Sequence, residues 1–340
     1  MIKNTKKIYV AYTGGTIGMQ PSSSGYVPVP GFLSETLKNM PEFYRPEMPE
    51  FTIHEYAPLL DSSDMQPNDW QVIADDIQTN YTKYDAFIIL HGTDTMAYTA
   101  SALSFMCQNL QKPIIVTGSQ IPIAQLRSDG QVNLLNALYI AANYPIPEVT
   151  LFFNNQLLRG NRSRKVDADG FSAFASPNYP PLIEAGIEIK VKAGKLSHAP
   201  DTYPPLEIKH ITAQPIGLVS LYPGISEEII NNLLLQPVKA LILLSYGVGN
   251  APQNKAMLAA FKSAKERGVI ILNCTQCLRG KVNMTGYANG QTLADVGVIS
   301  GYDMTPEAAL TKLHFVLSQT SDYTSAVNLL ADALSGEMSI

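Results

Sequence analysis

The 340-residue chain is short of several things, and each scarcity excludes a class of protein. Its three cysteines, Cys107, Cys274 and Cys277, cannot all pair with one another and are too few for a disulfide scaffold. The fold must hold without them, and a reducing, cytoplasmic compartment is expected. Charged residues make up only 16%, with 24 Lys and Arg against 29 Asp and Glu, a net charge of -5 and no long basic block. That argues against the basic stripe with which a nucleic-acid binder displaces counterions from phosphate, and anionic membrane is an equally poor partner. Apolar runs such as 86–90 and 240–244 fall far short of the roughly 20 residues that cross a bilayer. Behind Lys3, Lys6 and Lys7 the apolar stretch 8–12 is shorter than the roughly 7 to 15 residues of a signal-peptide core, so a mature first strand of a soluble protein is expected.

Apolar material is abundant, at 46% of residues, and the length suits one large or two ordinary domains of about 100 to 200 residues each. No internal repeat of fixed period is evident. Short, partly β-branched apolar segments at 8–12, 51–55, 86–90, 113–117 and 149–153 read as strands covered on both faces. Helical spacing lies between them: Trp70, Ile73, Ala74, Ile77 and Tyr81 behind Pro67, then Ala100, Leu103, Phe105, Met106 and Leu110, then Val132, Leu135, Leu138, Ile140 and Ala142. Strand alternating with helix predicts an α/β fold with a largely parallel sheet. The alternation fails over 186–211 and resumes in smaller form, with strands at 216–221, 240–246 and 269–273 and helices at 226–235, 251–267, 306–318 and 323–335. The expected architecture is a larger N-terminal catalytic α/β domain (1–190), a linker (191–212) and a smaller C-terminal α/β domain (213–340).

Open parallel sheets bind ligands at the carboxyl ends of their strands. Three of the turns there are unusual. The first strand runs into Thr13-Gly14-Gly15-Thr16-Ile17-Gly18 and then a Ser-rich segment containing Tyr26. Adjacent glycines allow a sharp turn that presents N–H groups and the Thr16 hydroxyl, or they make nothing more than a turn. The third strand leads into His91-Gly92-Thr93-Asp94-Thr95, where Asp94 or Thr95 can cap a helix and where a hydroxyl beside a carboxylate also suits acid-base work. The second is followed by Asp61-Ser62-Ser63-Asp64, a helix start that can also receive a carboxylate.

Other schemes fit worse. There is no G-x-S-x-G elbow, no G-x-x-x-x-G-K-[ST] and no G-x-G-x-x-G. The histidines form no H-E-x-x-H pair, and Cys274-Thr275-Gln276-Cys277 lacks the second pair that a zinc site needs, so buried reduced thiols are the simpler reading.

The motifs TGGTIG at 13–18, DSSDM at 61–65, HGTDTMAYT at 91–99, TGSQIP at 117–122, GNRSRK at 160–165 and SYGVGN at 245–250 resemble, in this order and spacing, those of the bacterial-type L-asparaginases, most closely the cytoplasmic type I branch. The resemblance spans essentially the whole chain. It implies that Thr16 is the nucleophile that forms an aspartyl ester with L-asparagine, with Tyr26 closing over the substrate and polarising the Thr16 hydroxyl. Thr93, Asp94 and Lys165 would form a hydroxyl-carboxylate-amine relay, which passes a proton as a coupled group. Ser62 and Ser63 would hold the substrate α-carboxylate, and Asp94 with Asp61 its α-ammonium. Donors near Thr93, its backbone N–H included, would stabilise the oxyanion.

The resemblance further implies a site completed by a neighbouring subunit through Asn250, in a homodimer or homotetramer, and no metal or organic cofactor. Some cytoplasmic members of the family respond allosterically to asparagine at a second site, and Arg164, Leu244 and Cys277 lie in stretches where one would be sought. The secreted branch tends to carry Gln where Ser63 stands here, which leaves a broader asparaginase-glutaminase as an alternative. The amidase subunit of a tRNA-dependent amidotransferase is a further one, although such chains carry an extra N-terminal domain and only twelve residues precede Thr13.

Overall fold

The computed structural model describes residues 5–23, 25–193, 204–284, 286 and 288–340. They divide into two compact units, Met1–Lys209 and His210–Ile340.

The first unit is built on an eight-stranded sheet. The strands of the whole unit, in chain order, are β1 (Lys7–Gly14), the hairpin β2 (Met19–Ser22) and β3 (Gly25–Pro28), β4 (Glu50–Leu60), β5 (Ala86–Leu90), β6 (Cys107–Gln108), β7 (Ile114–Thr117), β8 (Val149–Phe153), β9 (Gln156–Arg159), β10 (Arg164–Lys165), β11 (Phe174–Ala175), β12 (Ile183–Ala185), β13 (Ile189–Val191) and β14 (Glu207–Ile208), of which β2–β3, β6–β14 and β10–β11 form separate two-stranded pairs. Its helices are α1 (Phe32–Lys38), α2 (Pro67–Asn80), α3 (Met96–Met106) and α4 (Gly130–Asn143). The sheet runs β13-β12-β9-β8-β7-β5-β1-β4. The five strands from β8 to β4 pair in parallel, and the antiparallel β9, β12 and β13 extend one edge.

Continuous apolar runs made the central strands legible: every residue of β5 and of β8 is buried, as strands between two helical layers require. Helix α2 begins where Pro67 has a preset φ and no N–H to lose, and the Asp69 carboxylate accepts from the Gln66 N–H at 2.7 Å. It buries Trp70, Ile73, Ala74 and Ile77, and stops at Asn80, so Tyr81 lies just beyond it. In α4 the buried stripe is Leu134, Ala137, Leu138, Ile140 and Ala141, and Val132, expected on that face, is 50% exposed.

Other differences lie where the sequence is mixed. The second strand extends to Leu60, the Ser-rich segment forms the hairpin β2–β3, and α1 and the antiparallel edge were not anticipated. Within the stretch expected to be a linker, residues 194–203 lie outside the described residues. Glu207 and Ile208 pair with Gln108 and Cys107 of β6 in the first unit.

The second unit has a four-stranded parallel sheet, β15 (Ile216–Ser220), β16 (Ala240–Ser245), β17 (Ile270–Thr275) and β18 (Ile299–Ser300), in that order. Around it lie α5 (Glu227–Leu233), α6 (Lys255–Glu266), α7 (Ala288–Asp295), α8 (Pro306–Gln319) and α9 (Tyr323–Ala331). Helix α6 starts at Lys255 rather than 251 because Pro252 precedes it and the Asn254 side chain accepts from the Ala256 and Met257 N–H groups. The Lys312 ammonium of α8 is fully buried, bonded to Glu337 at 2.7 Å and to the Leu330 and Asp332 carbonyls at the end of α9. A cation there satisfies carbonyls that α9 leaves unpaired and ends the helix at Ala331, short of the expected 335.

Candidate active site

The strand order sets the site. Because β1 lies between β4 and β5, and β5 beside β7, the turns that leave these four strands are neighbours. Glycine brings three of them into contact. Gly14 and Gly15 have φ of 138° and 92°, and a Cβ at Gly15 would lie 2.4 Å from the Gly92 nitrogen. A Cβ at Gly14 would strike the Leu60 carbonyl at 2.0 Å, and one at Gly92 the Ser62 hydroxyl at 2.3 Å. The TGGT turn is therefore packed on the backbones of Leu60 and Gly92, and the HGTDT turn on the side chain of Ser62.

Thr16 opens a single 3-10 turn, Thr16–Gly18, and is half-buried. The fully buried Tyr12 underlies that turn, its hydroxyl donating to the Gly15 carbonyl at 3.4 Å and lying where any Cβ on Gly18 would fall. Burial, together with the nearby Glu55 carboxylate, pushes the Tyr12 phenol upward, which keeps it a donor. The hairpin strand β3 packs against the same turn and carries Tyr26, 52% exposed, in register with Pro21.

The Lys165 ammonium donates to the Thr93 hydroxyl and to the Asp94 carboxylate, both at 2.8 Å. Lys165 is 21% and Asp94 63% exposed, so the pair lies at the rim while Thr93 itself is buried. The Thr93 hydroxyl in turn donates to Gln120 Oε1 at 3.2 Å. Gln120 cannot turn its amide around freely, because its Nε2 donates to the Gly170 and Ala168 carbonyls at 3.1 and 3.4 Å.

The cap reading of Thr95 is corrected: it occupies the N-cap position of α3 without capping, and its hydroxyl goes to the Ser62 carbonyl at 2.6 Å. Asp61 accepts from both the N–H and the hydroxyl of Ser63 at 2.9 Å. Ser62 is buried and Ser63 exposed.

The structure thus brings the Thr16, Ser62 and Thr93 turns together and joins Thr93, Asp94 and Lys165 by hydrogen bonds. Asn250 belongs to the second unit, where its backbone exchanges hydrogen bonds with Tyr246 at 2.9 Å. Two supporting residues escaped the sequence reading. Gln120 was legible only as the residue after the fourth strand's turn, and Tyr12 only as an apolar strand residue.

Cys107 and Cys274 are buried, and burial pushes both thiols up to about 12; Cys277 is exposed. Among the described residues no group of three or more His, Cys, Asp or Glu side chains is placed to hold a metal ion, and no helix is long and apolar enough to cross a membrane.

Comparison with known proteins gives a consistent result. The family profile described as asparaginase, N-terminal, matches residues 7–196, and that of the glutaminase/asparaginase C-terminal domain matches 215–330. L-asparaginase 1 of Escherichia coli strain K12 is 65% identical over 333 residues, which cover 98% of each chain. The solved structure of L-asparaginase I from Vibrio cholerae is also 65% identical, with a TM-score of 0.93 over 99% of this chain and 100% of that one. A 60 kDa lysophospholipase of Mus musculus is 43% identical over 98% of this chain and 63% of its own length. With family profiles across both units and such relatives over nearly its full length, the chain belongs to the L-asparaginase family of hydrolases.

Proposed function

We propose that the chain hydrolyses L-asparagine to L-aspartate and ammonia through a threonine ester. The observation that carries this reading is the Lys165 ammonium bridging Thr93 and Asp94 beside the Gly15–Gly92 contact that presents Thr16. The Thr16 hydroxyl oxygen attacks the side-chain amide carbon, and its proton passes to the leaving nitrogen through neighbouring groups, with Tyr26 polarising the hydroxyl. The tetrahedral oxyanion rests on the Thr93 N–H and collapses, breaking the C–N bond and releasing ammonia. Water, deprotonated through the Thr93-Lys165-Asp94 relay, then attacks the aspartyl ester, and the Thr16 oxygen leaves with a proton. Ser62 and Ser63 hold the α-carboxylate, and Asp94 and Asp61 the α-ammonium.

Asn250 of a neighbouring subunit completes this site in our reading, which makes a homodimer the smallest active unit. The assembly is cytoplasmic, needs no cofactor, and is open to allosteric control by asparagine. Glutamine is a slower substrate: one extra methylene is discriminated by only about 1–3 kcal/mol, so Ser63 sets a ratio rather than a ban.

The test is ammonia release from asparagine and from glutamine by the wild type, Thr16→Ala and Thr93→Ala. Wild type acts on asparagine and both variants lose nearly all activity; a fully active Thr16→Ala sinks the mechanism. A sigmoidal asparagine curve supports a second site or subunit coupling.

A further inference from the structure

His91 precedes the Gly92–Thr93 peptide and is fully buried, with no exposure of its own to substrate or solvent. Both ring nitrogens are engaged. Nδ1 lies 2.7 Å from the Gly92 carbonyl oxygen, and Nε2 lies 2.8 Å from the Thr99 hydroxyl. Thr99 accepts in turn from the Trp70 indole N–H at 3.1 Å.

The chemistry of the two ends fixes the direction of every bond between them. A carbonyl oxygen only accepts, so Nδ1 carries the proton. An indole N–H only donates, which leaves the Thr99 hydroxyl hydrogen free to go to Nε2. Burial holds the ring neutral by pulling its pKa down to about 4, so Nε2 has a lone pair to offer. The result is a one-way chain, Trp70 to Thr99 to His91 to the Gly92 oxygen, with a single permitted tautomer.

This chain orients a peptide at the site. The Gly92–Thr93 bond is trans, since the cis bonds are at Ala57-Pro58 and Gln236-Pro237. In a trans peptide the C=O and N–H point in opposite directions. With the Gly92 oxygen turned to the buried imidazole, the Thr93 N–H is turned away from it, and among the described residues it has no partner within the chain. Gly92 has no side chain to hold that plane, and its Cβ position is filled by Ser62 Oγ. Without the imidazole, the peptide loses the hydrogen bond that holds its Gly92 oxygen.

We propose that His91 is a positioning residue: its Nδ1–H holds the Gly92–Thr93 peptide so that the Thr93 N–H faces the substrate's developing oxyanion, and Thr99 and Trp70 fix the tautomer that lets it do so. The inference rests on the threonine amidohydrolase reading above. It separates turnover from binding, because an oxyanion donor acts mainly in the transition state, whereas the carboxylate and ammonium of the amino acid are held elsewhere.

The experiment uses the full chain and the variants His91→Leu, His91→Asn and Thr99→Val. Ammonia release from asparagine gives kcat and KM, and calorimetric titration with L-aspartate gives ground-state affinity. Losing an oxyanion donor outright costs roughly 100- to 1000-fold in kcat, so a donor left in place but unanchored should cost roughly tenfold. His91→Leu is expected to lose that much kcat with KM and aspartate affinity within about twofold. His91→Asn, whose amide nitrogen falls near the Nδ1 position, recovers most of the loss, and Thr99→Val loses roughly threefold. Nitrogen NMR of the wild type should show His91 protonated at Nδ1.

If His91→Leu does not fold, the isosteric Thr99→Val and the tautomer carry the test. A kcat unchanged in the folded variants, a parallel loss of kcat and aspartate affinity, or an Nε2–H tautomer overturns the role of His91. A wild type that releases no ammonia from asparagine overturns the functional reading itself, a distinct result.

Discussion

Gly15 and Gly92 meet backbone to backbone, so that a Cβ on Gly15 would lie 2.4 Å from the Gly92 nitrogen and 2.5 Å from its Cα. Neither atom belongs to a flexible side chain that can move aside, and Gly15 already has a φ of 92° that L-residues avoid. The contact keys the turn that carries Thr16 to the turn that carries Thr93.

Gly15→Ala is therefore expected to lose about 2–4 kcal/mol of stability from strain and overpacking. Activity should fall about a hundredfold in whatever fraction remains folded, since a displacement of about 1 Å suffices for that. Thermal unfolding beside ammonia release measures both; an alanine variant with wild-type turnover would show that the turns need no such register.

Lys165 and Asp94 should matter for rate and hardly at all for stability. With Asp94 63% exposed, the ion pair contributes no more than about 1 kcal/mol to folding. Lys165→Met should nevertheless lower kcat by roughly 100- to 10,000-fold at an almost unchanged melting temperature. Lys165→Arg should not restore it, because a guanidinium stays charged at every working pH and so cannot pass a proton through the relay as an amine can. A melting temperature that drops in step with activity would make the pair structural.

The proposed mechanism puts the ester on Thr16. Acid quench of the enzyme turning over asparagine, followed by peptide mass spectrometry, should find the aspartyl adduct on the peptide that contains Thr16 and none in Thr16→Ala. An adduct on the peptide that contains Thr93 reverses the assignment of the two threonines.

His91 gives the protein a defined acid sensitivity. Its pKa falls from 6.5 to about 4 on folding because burial disfavours the imidazolium, so between these values the unfolded chain binds a proton that the native one does not. Stability from this group is thus fully present above pH 6.5, falls as pH drops through the window and levels off below about 4. The total loss is about 3 kcal/mol. Urea midpoints from pH 7 to pH 4 should show that extra slope in the wild type and its absence in His91→Asn; equal slopes would count against a neutral buried ring.

Only one thiol should react in the native state. Cys277 is exposed, whereas burial holds Cys107 and Cys274 as thiols up to about pH 12. A disulfide reagent at pH 8 should titrate one equivalent from native protein and three after denaturation. Three fast equivalents in the native state would contradict the packing around β6 and β17.

How much was legible follows from what each residue's environment depends on. Ala86–Leu90 could be read as a doubly covered strand because burial on both faces leaves an unbroken apolar run. Pro67 and the spacing from Trp70 to Ile77 marked α2 for the same local reason. The hairpin from Met19 to Pro28 could not be read, since its polar, proline-bearing strands have no period-2 apolar face. Val132 was misplaced because the stripe of α4 is tilted by one residue toward Leu134, a choice made by the sheet beneath it. In the site, Thr16, Thr93, Asp94 and Lys165 stood out through their motifs. His91 looked like a strand-end residue and Gln120 like part of a turn, because what defines them are bonds to Thr99, Trp70, Thr93 and Gly170, far away in the chain.

By itself the sequence determined the alternation of strands and helices, the two-part organisation and the turns worth inspecting, because periodicity, capping and glycine act over a few residues. Only the tertiary structure decided that the Thr16 turn lies between those of Ser62 and Thr93, and that Lys165 reaches back across 72 positions to Thr93. The reason is the strand order: β1 pairs with both β4 and β5, and that choice depends on how the whole sheet is covered, a property that no local stretch of chain contains.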